Sequence, residues 1–225
     1  MLKARQQFLN AGYYQPLHQA LLEFASQSIT DPLHILDIGC GEGYYTDKLR
    51  QLAPSVHVWG LDIAKRGIRL AAKHYPQCQF LIASNKRLPF ASQSLDLITR
   101  IFAPQQDSEI VRCLKADSYL ITAIPGKNHL KQFRNLIYPE FRPHQDEAKP
   151  ISGMKFIMSK RLNYEIEPSQ NEREDLMAMT PFNWKLNEKI RQRFKEDKQP
   201  IEVAFTLHLY QKINFRKSQT LCQSD

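Results

Sequence analysis

The chain has 225 residues, of which 42% are hydrophobic and 24% are charged, and its formal net charge is +8. This composition excludes a largely disordered chain, and apolar runs far shorter than roughly 18 residues exclude a membrane span. The excess of basic residues favours a polyanionic partner, above all nucleic acid, although solubility alone also accounts for it.

The N-terminal segment carries spaced apolar residues, typical of one or two amphipathic helices that end before Asp31-Pro32. Strands and helices then alternate. The predicted strands are Leu33–Ile38, Val56–Asp62, Cys78–Ala83, Leu95–Ile101 and Tyr119–Ile124. The predicted helices are Tyr44–Leu52, Ala64–His74, Glu109–Leu114 and Lys127–Ile137. This rhythm predicts an α/β protein with a parallel sheet and helices on both faces.

The alternation is lost after Pro139. Residues 139–153 contain three prolines and a glycine, a composition that predicts a loop or lid. We expect a strand at Lys155–Ile166, a short helix at Glu172–Met179 and a late strand at Ile201–Ile213.

The cysteines do not form a metal-binding pattern. They are widely separated, at Cys40, Cys78, Cys113 and Cys222. No pair has the spacing of a zinc knuckle or a redox CxxC motif. Reduced thiols, no metal site and a cytoplasmic protein are therefore expected, and no secretory signal is recognisable.

The most informative stretch is the predicted first strand and the loop after it, which read LHILDIGCGEGYYT. Gly39, Gly41 and Gly43 allow a sharp turn and bring a ligand close to bare main chain. Asp37 precedes them, and its carboxylate would repel a pyrophosphate but suits a ligand that carries a cation. S-adenosylmethionine carries both an ammonium and a sulfonium.

A second acid narrows the choice of ligand. Asp62 ends the second predicted strand, about twenty residues after the glycines, where a carboxylate binds ribose hydroxyls. This arrangement serves NAD and S-adenosylmethionine alike, but GxGxG spacing and the acid before it favour S-adenosylmethionine. Ser84 and Asn85 follow the third strand, where they can read the adenine or simply form a polar turn.

The chain resembles the class I S-adenosylmethionine-dependent methyltransferases and, more narrowly, the bacterial 23S rRNA (guanine-N1)-methyltransferases. The resemblance extends over nearly the full length. Its motifs are ARQQFLNAGYYQPL from Ala4, DIGCGEGYYT from Asp37, RLPF from Arg87, RIFAP from Arg100, PGKNHL from Pro125 and MTPFNW from Met179.

This resemblance implies a Rossmann-like class I methyltransferase fold with a mostly parallel seven-stranded sheet. It implies S-adenosylmethionine as cofactor, with contacts from Tyr14, Tyr45, Thr46 and His129, ribosomal RNA as partner, and a possible homodimer. Such enzymes usually begin with a domain holding four zinc-binding cysteines, whereas this chain starts where that domain would end. Two alternatives therefore stay open: a small-molecule methyltransferase, and a non-catalytic cofactor- or RNA-binding remnant.

Guanine N1 carries a proton that must leave as the methyl group arrives, so a proton acceptor is expected. By topology His129 and Glu140 are the nearest candidates, although each also suits a purely polar role. Arg100 can stabilise charge on guanine O6 or bind a phosphate, or it can form a salt bridge. The aromatic candidates for holding an extruded base, with core packing as the alternative, are Phe102, Phe182 and Trp184. The basic residues that can follow phosphates, or form a solvated face, are Lys127, Lys131, Arg134, Arg142 and Lys149.

These assignments divide the chain by role. Residues 1–30 form a helical segment over the cofactor site, and residues 31–138 form the S-adenosylmethionine-binding core. Residues 139–215 form a substrate-side insertion with the C-terminal strands, and residues 216–225 form a flexible tail.

Overall fold

The computed structural model describes residues 1–28, 33–104 and 106–214. The predicted helix stop at Asp31-Pro32, the residue Cys222 and the predicted tail lie outside the described residues.

A seven-stranded sheet forms the centre of the fold. Its strands are β1 (Leu33–Ile38), β2 (Val56–Asp62), β3 (Gln79–Ile82), β4 (Leu95–Ile101), β5 (Leu114–Pro125), β6 (Met154–Ile166) and β7 (Ile201–Lys212). The strand order is β3-β2-β1-β4-β5-β7-β6, and the pairs β2–β3, β1–β2, β1–β4 and β4–β5 are parallel. The prediction of a mostly parallel seven-stranded sheet is confirmed.

In the described residues, eight α-helices accompany the strands. They are α1 (Leu2–Asn10), α2 (Gln15–Ala25), α3 (Tyr44–Leu49), α4 (Lys65–His74), α5 (Asp107–Cys113), α6 (Lys131–Ile137), α7 (Gln170–Met179) and α8 (Glu188–Glu196). None of the helices in the described part of the chain has the length and apolar character to cross a membrane.

Most element boundaries lie within a few residues of the predictions, with two differences. Strand β5 starts at Leu114, five residues before the predicted Tyr119. Helix α8 was not predicted, because its sequence EKIRQRFKE is almost entirely polar. The structure anchors it through Phe194, which is 1% exposed, and through its N-cap Asn187, whose side chain accepts a hydrogen bond from the Ile190 N–H at 2.9 Å.

The strand order places the predicted ligand loop at a topological switch point. Strand β1 pairs with β2 on one side and β4 on the other, so the connections that follow β1 and β4 lead away from each other. Ligands of open α/β sheets bind at the carboxyl ends of strands at such a point. Every residue of β4 is buried, as expected for a central parallel strand.

The chain divides into two compact units. The first unit comprises Met1–Ala20, Ile124–Glu147 and Lys160–Thr206. The second unit comprises Leu21–Ala123, Ala148–Ser159 and the described chain from Leu207 onward. The functional division at residues 30, 138 and 215 stays a prediction.

The first unit is held together by contacts of the N-terminal helices with the segment around α7. The Tyr13 hydroxyl donates to the Glu172 carboxylate at 2.8 Å, and the Tyr164 hydroxyl donates to the Tyr13 carbonyl at 2.9 Å. Ser169 and Glu172 form a capping box at the start of α7. Glu172 therefore satisfies the helix terminus and binds the N-terminal segment with the same carboxylate.

Candidate cofactor and substrate sites

The loop after β1 lies in the second unit and adopts the conformation that its glycines allow. Gly39, Gly41 and Gly43 have φ values of +74°, +59° and +86°, in the left-handed region that other residues rarely adopt. A Cβ at Gly39 would lie 2.5 Å from the Cβ of Ala103, so this position requires glycine for close packing. A Cβ at Gly41 would meet nothing within 4 Å. The main chain at Gly41 is therefore open to a ligand.

Asp37 is buried beneath this loop and has a structural role there. Its carboxylate, 2% exposed, accepts hydrogen bonds from the Thr46 hydroxyl at 2.7 Å and the Thr99 hydroxyl at 2.9 Å. It therefore links the end of β1 to α3 and to β4. The sequence predicted both Asp37 and Thr46 as site residues, and the structure brings them together. A direct contact of Asp37 with a ligand cation stays a prediction, as does a contact from the buried Tyr45.

Asp62 is the acid that lies against the open part of the loop. One carboxylate oxygen accepts from the Gly41 N–H at 3.0 Å, and the other accepts from the Ala64 N–H at 2.8 Å. A carboxylate has about four acceptor positions, so two hydrogen bonds leave capacity for the two hydroxyls of a ribose. The predicted pairing of the glycine loop with an acid on the next strand is thus present in the geometry.

Two exposed apolar residues flank Asp62, and the sequence reasoning missed them. Ile63 is 72% exposed, and Ile82, which lies opposite Asp62 in the β2–β3 register, is 50% exposed. Large exposed apolar side chains beside an acid that is predicted to bind a ribose suit the faces of an adenine ring. The available signal was an isoleucine directly after the strand-ending acid, where a polar turn residue is usual.

Ser84 and Asn85 both have roles in the turn that follows β3. The Ser84 hydroxyl accepts from the Lys86 N–H at 3.2 Å, as the polar-turn alternative predicts. The Asn85 side-chain amide donates to the Pro104 carbonyl at 3.2 Å and so ties this turn to the loop after β4. Recognition of adenine by either residue stays a prediction.

Arg100 and Phe102, at the end of β4, have different environments. The Arg100 guanidinium forms an ion pair with Asp107 at 3.2 Å and is largely buried, which is the salt-bridge alternative of the prediction. Phe102 has a φ of +55° and a side chain that is 38% exposed. A left-handed phenylalanine is strained, and such strain is concentrated at functional sites. Phe102 therefore remains a candidate for contact with a substrate.

Tyr14 and His129 belong to an aromatic cluster in the first unit. Both rings pack against Phe205, at centroid distances of 4.8 Å and 4.7 Å. The Ala204 N–H donates to Nδ1 of His129 at 3.4 Å, and burial lowers the pKa of His129 to about 3. His129 is therefore neutral and a weak base. A contact of Tyr14 or His129 with the cofactor stays a prediction.

Glu140 and Phe182 line one cavity of the first unit, with a volume of about 640 Å³. Tyr138, also in its wall, packs edge-on against Phe182, with 5.9 Å between the ring centroids.

Trp184 is 79% exposed, so the core-packing alternative does not apply to it. Among the predicted basic residues, Lys127 is engaged by Glu147 at 3.3 Å, whereas Arg134 and Arg142 line the cavity.

Comparison with known proteins agrees with this geometry. Residues 35–117 match the family described as a methyltransferase domain. Residues 35–117 are therefore a methyltransferase domain, and the cofactor of this class of domain is S-adenosylmethionine. The glycine loop, Asp62 and the exposed isoleucines fit that cofactor. Within the described ranges, no group of three or more His, Cys, Asp or Glu side chains could hold a metal ion.

Individual relatives extend the similarity beyond this domain. YxjB of Bacillus subtilis, a putative 23S rRNA (guanine-N(1)-)-methyltransferase, is 29% identical over 82% of this chain and 69% of its own length. The 23S rRNA (guanine(748)-N(1))-methyltransferase of Streptomyces fradiae is 27% identical over 82% of this chain and 68% of its own length. The solved structure of YcgJ from Bacillus subtilis shares the fold, with a TM-score of 0.51, 18% identity and coverage of 86% of this chain and 98% of YcgJ.

Proposed function

We propose that this protein transfers the methyl group of S-adenosylmethionine to N1 of a guanine in 23S ribosomal RNA. One observation carries the proposal. The similarity to two proteins that are named as 23S rRNA guanine-N1 methyltransferases, YxjB as a putative one, covers 82% of the chain, far more than the methyltransferase domain at residues 35–117. Such similarity is expected when the substrate-binding parts, and not only the cofactor domain, are shared. A cytoplasmic location follows from the proposed substrate.

The residues of the second unit would position the cofactor, which supplies a methyl group on a sulfonium. The open main chain at Gly41 lets the ligand approach the loop, and Asp62 accepts hydrogen bonds from the ribose. Ile63 and Ile82 provide apolar surface for the adenine. Methyl transfer is an in-line displacement, so this positioning contributes much of the rate.

Of the three predicted catalytic residues, we propose Glu140 as the proton acceptor for guanine N1. Glu140 is exposed and lines a cavity whose wall includes Phe182, so it can meet a bound base. His129 is less suited, because its ring packs against Phe205 and its Nδ1 already accepts from the Ala204 N–H. Arg100 forms an ion pair with Asp107, and this pair stabilises the chain that follows β4.

The test is transfer of tritiated methyl groups to 23S ribosomal RNA transcribed in vitro, which carries no modification. We expect label in the RNA and, in primer extension, a stop next to one guanine, because an N1 methyl group blocks Watson–Crick pairing. Label in a metabolite extract instead of RNA would favour the small-molecule alternative. Label in neither, with cofactor binding intact, would favour a non-catalytic protein.

A further inference from the structure

The cavity of about 640 Å³ in the first unit is lined mainly by aromatic and charged residues. Three aromatic residues line it, Tyr138, Phe141 and Phe182, together with two arginines and one acid, Arg134, Arg142 and Glu140. Its volume lies in the range of small-molecule sites, about 300–1,000 Å³, and is ample for one nucleotide. Flat aromatic faces beside guanidinium groups are suited to a ligand that is both planar and anionic.

Arg134 is the strongest indication of an anionic ligand. It lies on α6 and is only 7% exposed, and its Nη2 donates to the Arg142 carbonyl. In the described part of the chain, its Nε and Nη1 have no hydrogen-bond partner and no carboxylate pairs with it. Its guanidinium lies 4.9 Å from the centre of the Phe141 ring. A buried charge without an acid is costly, so a bound anion would stabilise this region.

A second platform lies outside the cavity. Lys185 contacts the rings of both Tyr138 and Trp184, at 4.5 Å and 5.0 Å from their centroids. Trp184 is 79% exposed. A cation and an exposed tryptophan thus stand directly beside a residue of the cavity wall. Stacking on aromatic side chains together with basic groups is the usual means of binding single-stranded nucleic acid.

We infer that this cavity is a binding pocket for one unpaired nucleotide of an RNA strand. Arg134 and Arg142 would bind its phosphate, Tyr138 and Phe182 would contact its base, and Trp184 would stack on a neighbouring base. The inference deepens the proposed function, on which it rests for the choice of RNA. A free nucleotide would use the cavity but not Trp184, and this difference favours a strand.

Tryptophan fluorescence provides the first test, because the chain contains only two tryptophans, Trp59 and Trp184. A single-stranded RNA 12-mer is titrated into the Trp59→Phe and Trp184→Phe proteins. We expect quenching to persist in Trp59→Phe and to be lost in Trp184→Phe. Quenching that persists in Trp184→Phe and disappears in Trp59→Phe would overturn the role of Trp184.

Affinity is then measured by anisotropy of the labelled 12-mer. Arg142→Ala and Trp184→Ala, both at exposed positions, should each bind roughly 10-fold more weakly than wild type. Lys73→Ala, which also removes one exposed positive charge but lies on α4, should bind within about 2-fold of wild type. Arg134→Gln tests the buried charge. It should also bind roughly 10-fold more weakly, whereas Arg134→Lys, which keeps the positive charge, should bind more tightly than Arg134→Gln. Urea denaturation of both variants shows whether the first unit still folds.

The outcomes separate this inference from the proposed function. If wild type methylates 23S ribosomal RNA but the pocket variants bind the 12-mer as wild type does, the pocket inference is wrong and the function stands. If wild type neither binds nor methylates RNA, the proposed function itself fails. If guanosine monophosphate binds as tightly as the 12-mer, the cavity is a mononucleotide site and the RNA inference is overturned.

Discussion

Single residues of the loop after β1 meet different physical requirements. Gly39 must lack a side chain because Ala103 occupies the space, whereas Gly41 has open space but a left-handed backbone. Asp37 and Asp62 also differ, since one is buried between two hydroxyls and the other binds the loop main chain at its exposed side. The loop and the acid beside it therefore combine residues that pack tightly with residues that have open space for a ligand, and substitutions can separate the two requirements.

Gly39→Ala and Gly41→Ala should have unequal effects on stability. A left-handed alanine costs about 1–2 kcal/mol, and Gly39→Ala adds an overlap with Ala103 that costs about 1–3 kcal/mol more. Gly41→Ala should reduce the free energy of unfolding by the first amount only. It should also weaken binding of S-adenosylhomocysteine, because the alanine methyl group enters the open space beside the loop. Urea denaturation and calorimetry measure the two effects. Equal losses of stability would contradict the geometry.

Asp62→Ala should weaken binding of S-adenosylhomocysteine at least 10-fold. The reason is that hydrogen bonds to a charged group contribute about 1.5–3 kcal/mol each. Asp47→Asn is the matched control, since it removes a charge on the neighbouring α3 that pairs with Arg50 at 3.6 Å. Calorimetry should show near wild-type affinity for this control. Wild-type affinity in Asp62→Ala would refute the assignment of the ribose site.

At the scale of elements, helix caps explain how polar segments become ordered. Helices α7 and α8 have few buried apolar residues, and both begin with a side chain that accepts from the main chain of the first turn. Ser169 and Asn187 fulfil this role, and Phe194 anchors α8 from its last turn. A polar segment can be helical when its ends are satisfied and one side chain is buried.

Ser169→Ala should reduce the free energy of unfolding by about 1 kcal/mol, as loss of an N-cap usually does. Asn187→Ala should have an effect of similar size at α8. Neither change should alter binding of S-adenosylhomocysteine, because both helices lie in the first unit and the glycine loop lies in the second. Thermal and urea denaturation test the stability. An unchanged midpoint in both variants would show that the caps contribute nothing.

At the scale of the whole molecule, stability should depend on pH through histidines. Burial lowers the pKa of His34 and of His144. The effect is strongest at His129, whose pKa falls to about 3. An unfolded histidine has a pKa near 6.5, so between pH 6.5 and pH 3 His129 binds a proton in the unfolded chain but not in the folded chain. The stabilising effect of neutral His129 is complete above pH 6.5 and decreases as the pH falls, and the lowered pKa values of His34 and His144 act in the same direction.

Lowering the pH from 7 to 5 should therefore destabilise the protein, and His129 alone should account for about 2 kcal/mol. Urea denaturation of wild type and His129→Gln at both pH values isolates this contribution as a difference in pH dependence. Glu109, whose pKa Arg112 lowers to about 2, has its effect only at more acidic pH. An identical pH dependence in both proteins would refute the role of His129.

The sequence by itself determined where strands β1 to β4 lie along the chain, the glycines of the loop after β1, and the position of Asp62 at the end of β2. These features follow from hydrophobic periodicity and turn chemistry, which act between residues close in the chain. The tertiary structure decided which partners the side chains have. It buried Asp37 between Thr46 and Thr99, paired Arg100 with Asp107, and exposed Ile63 and Trp184. It also formed a cavity with Arg134 in its wall, because long-range packing determines burial and pairing.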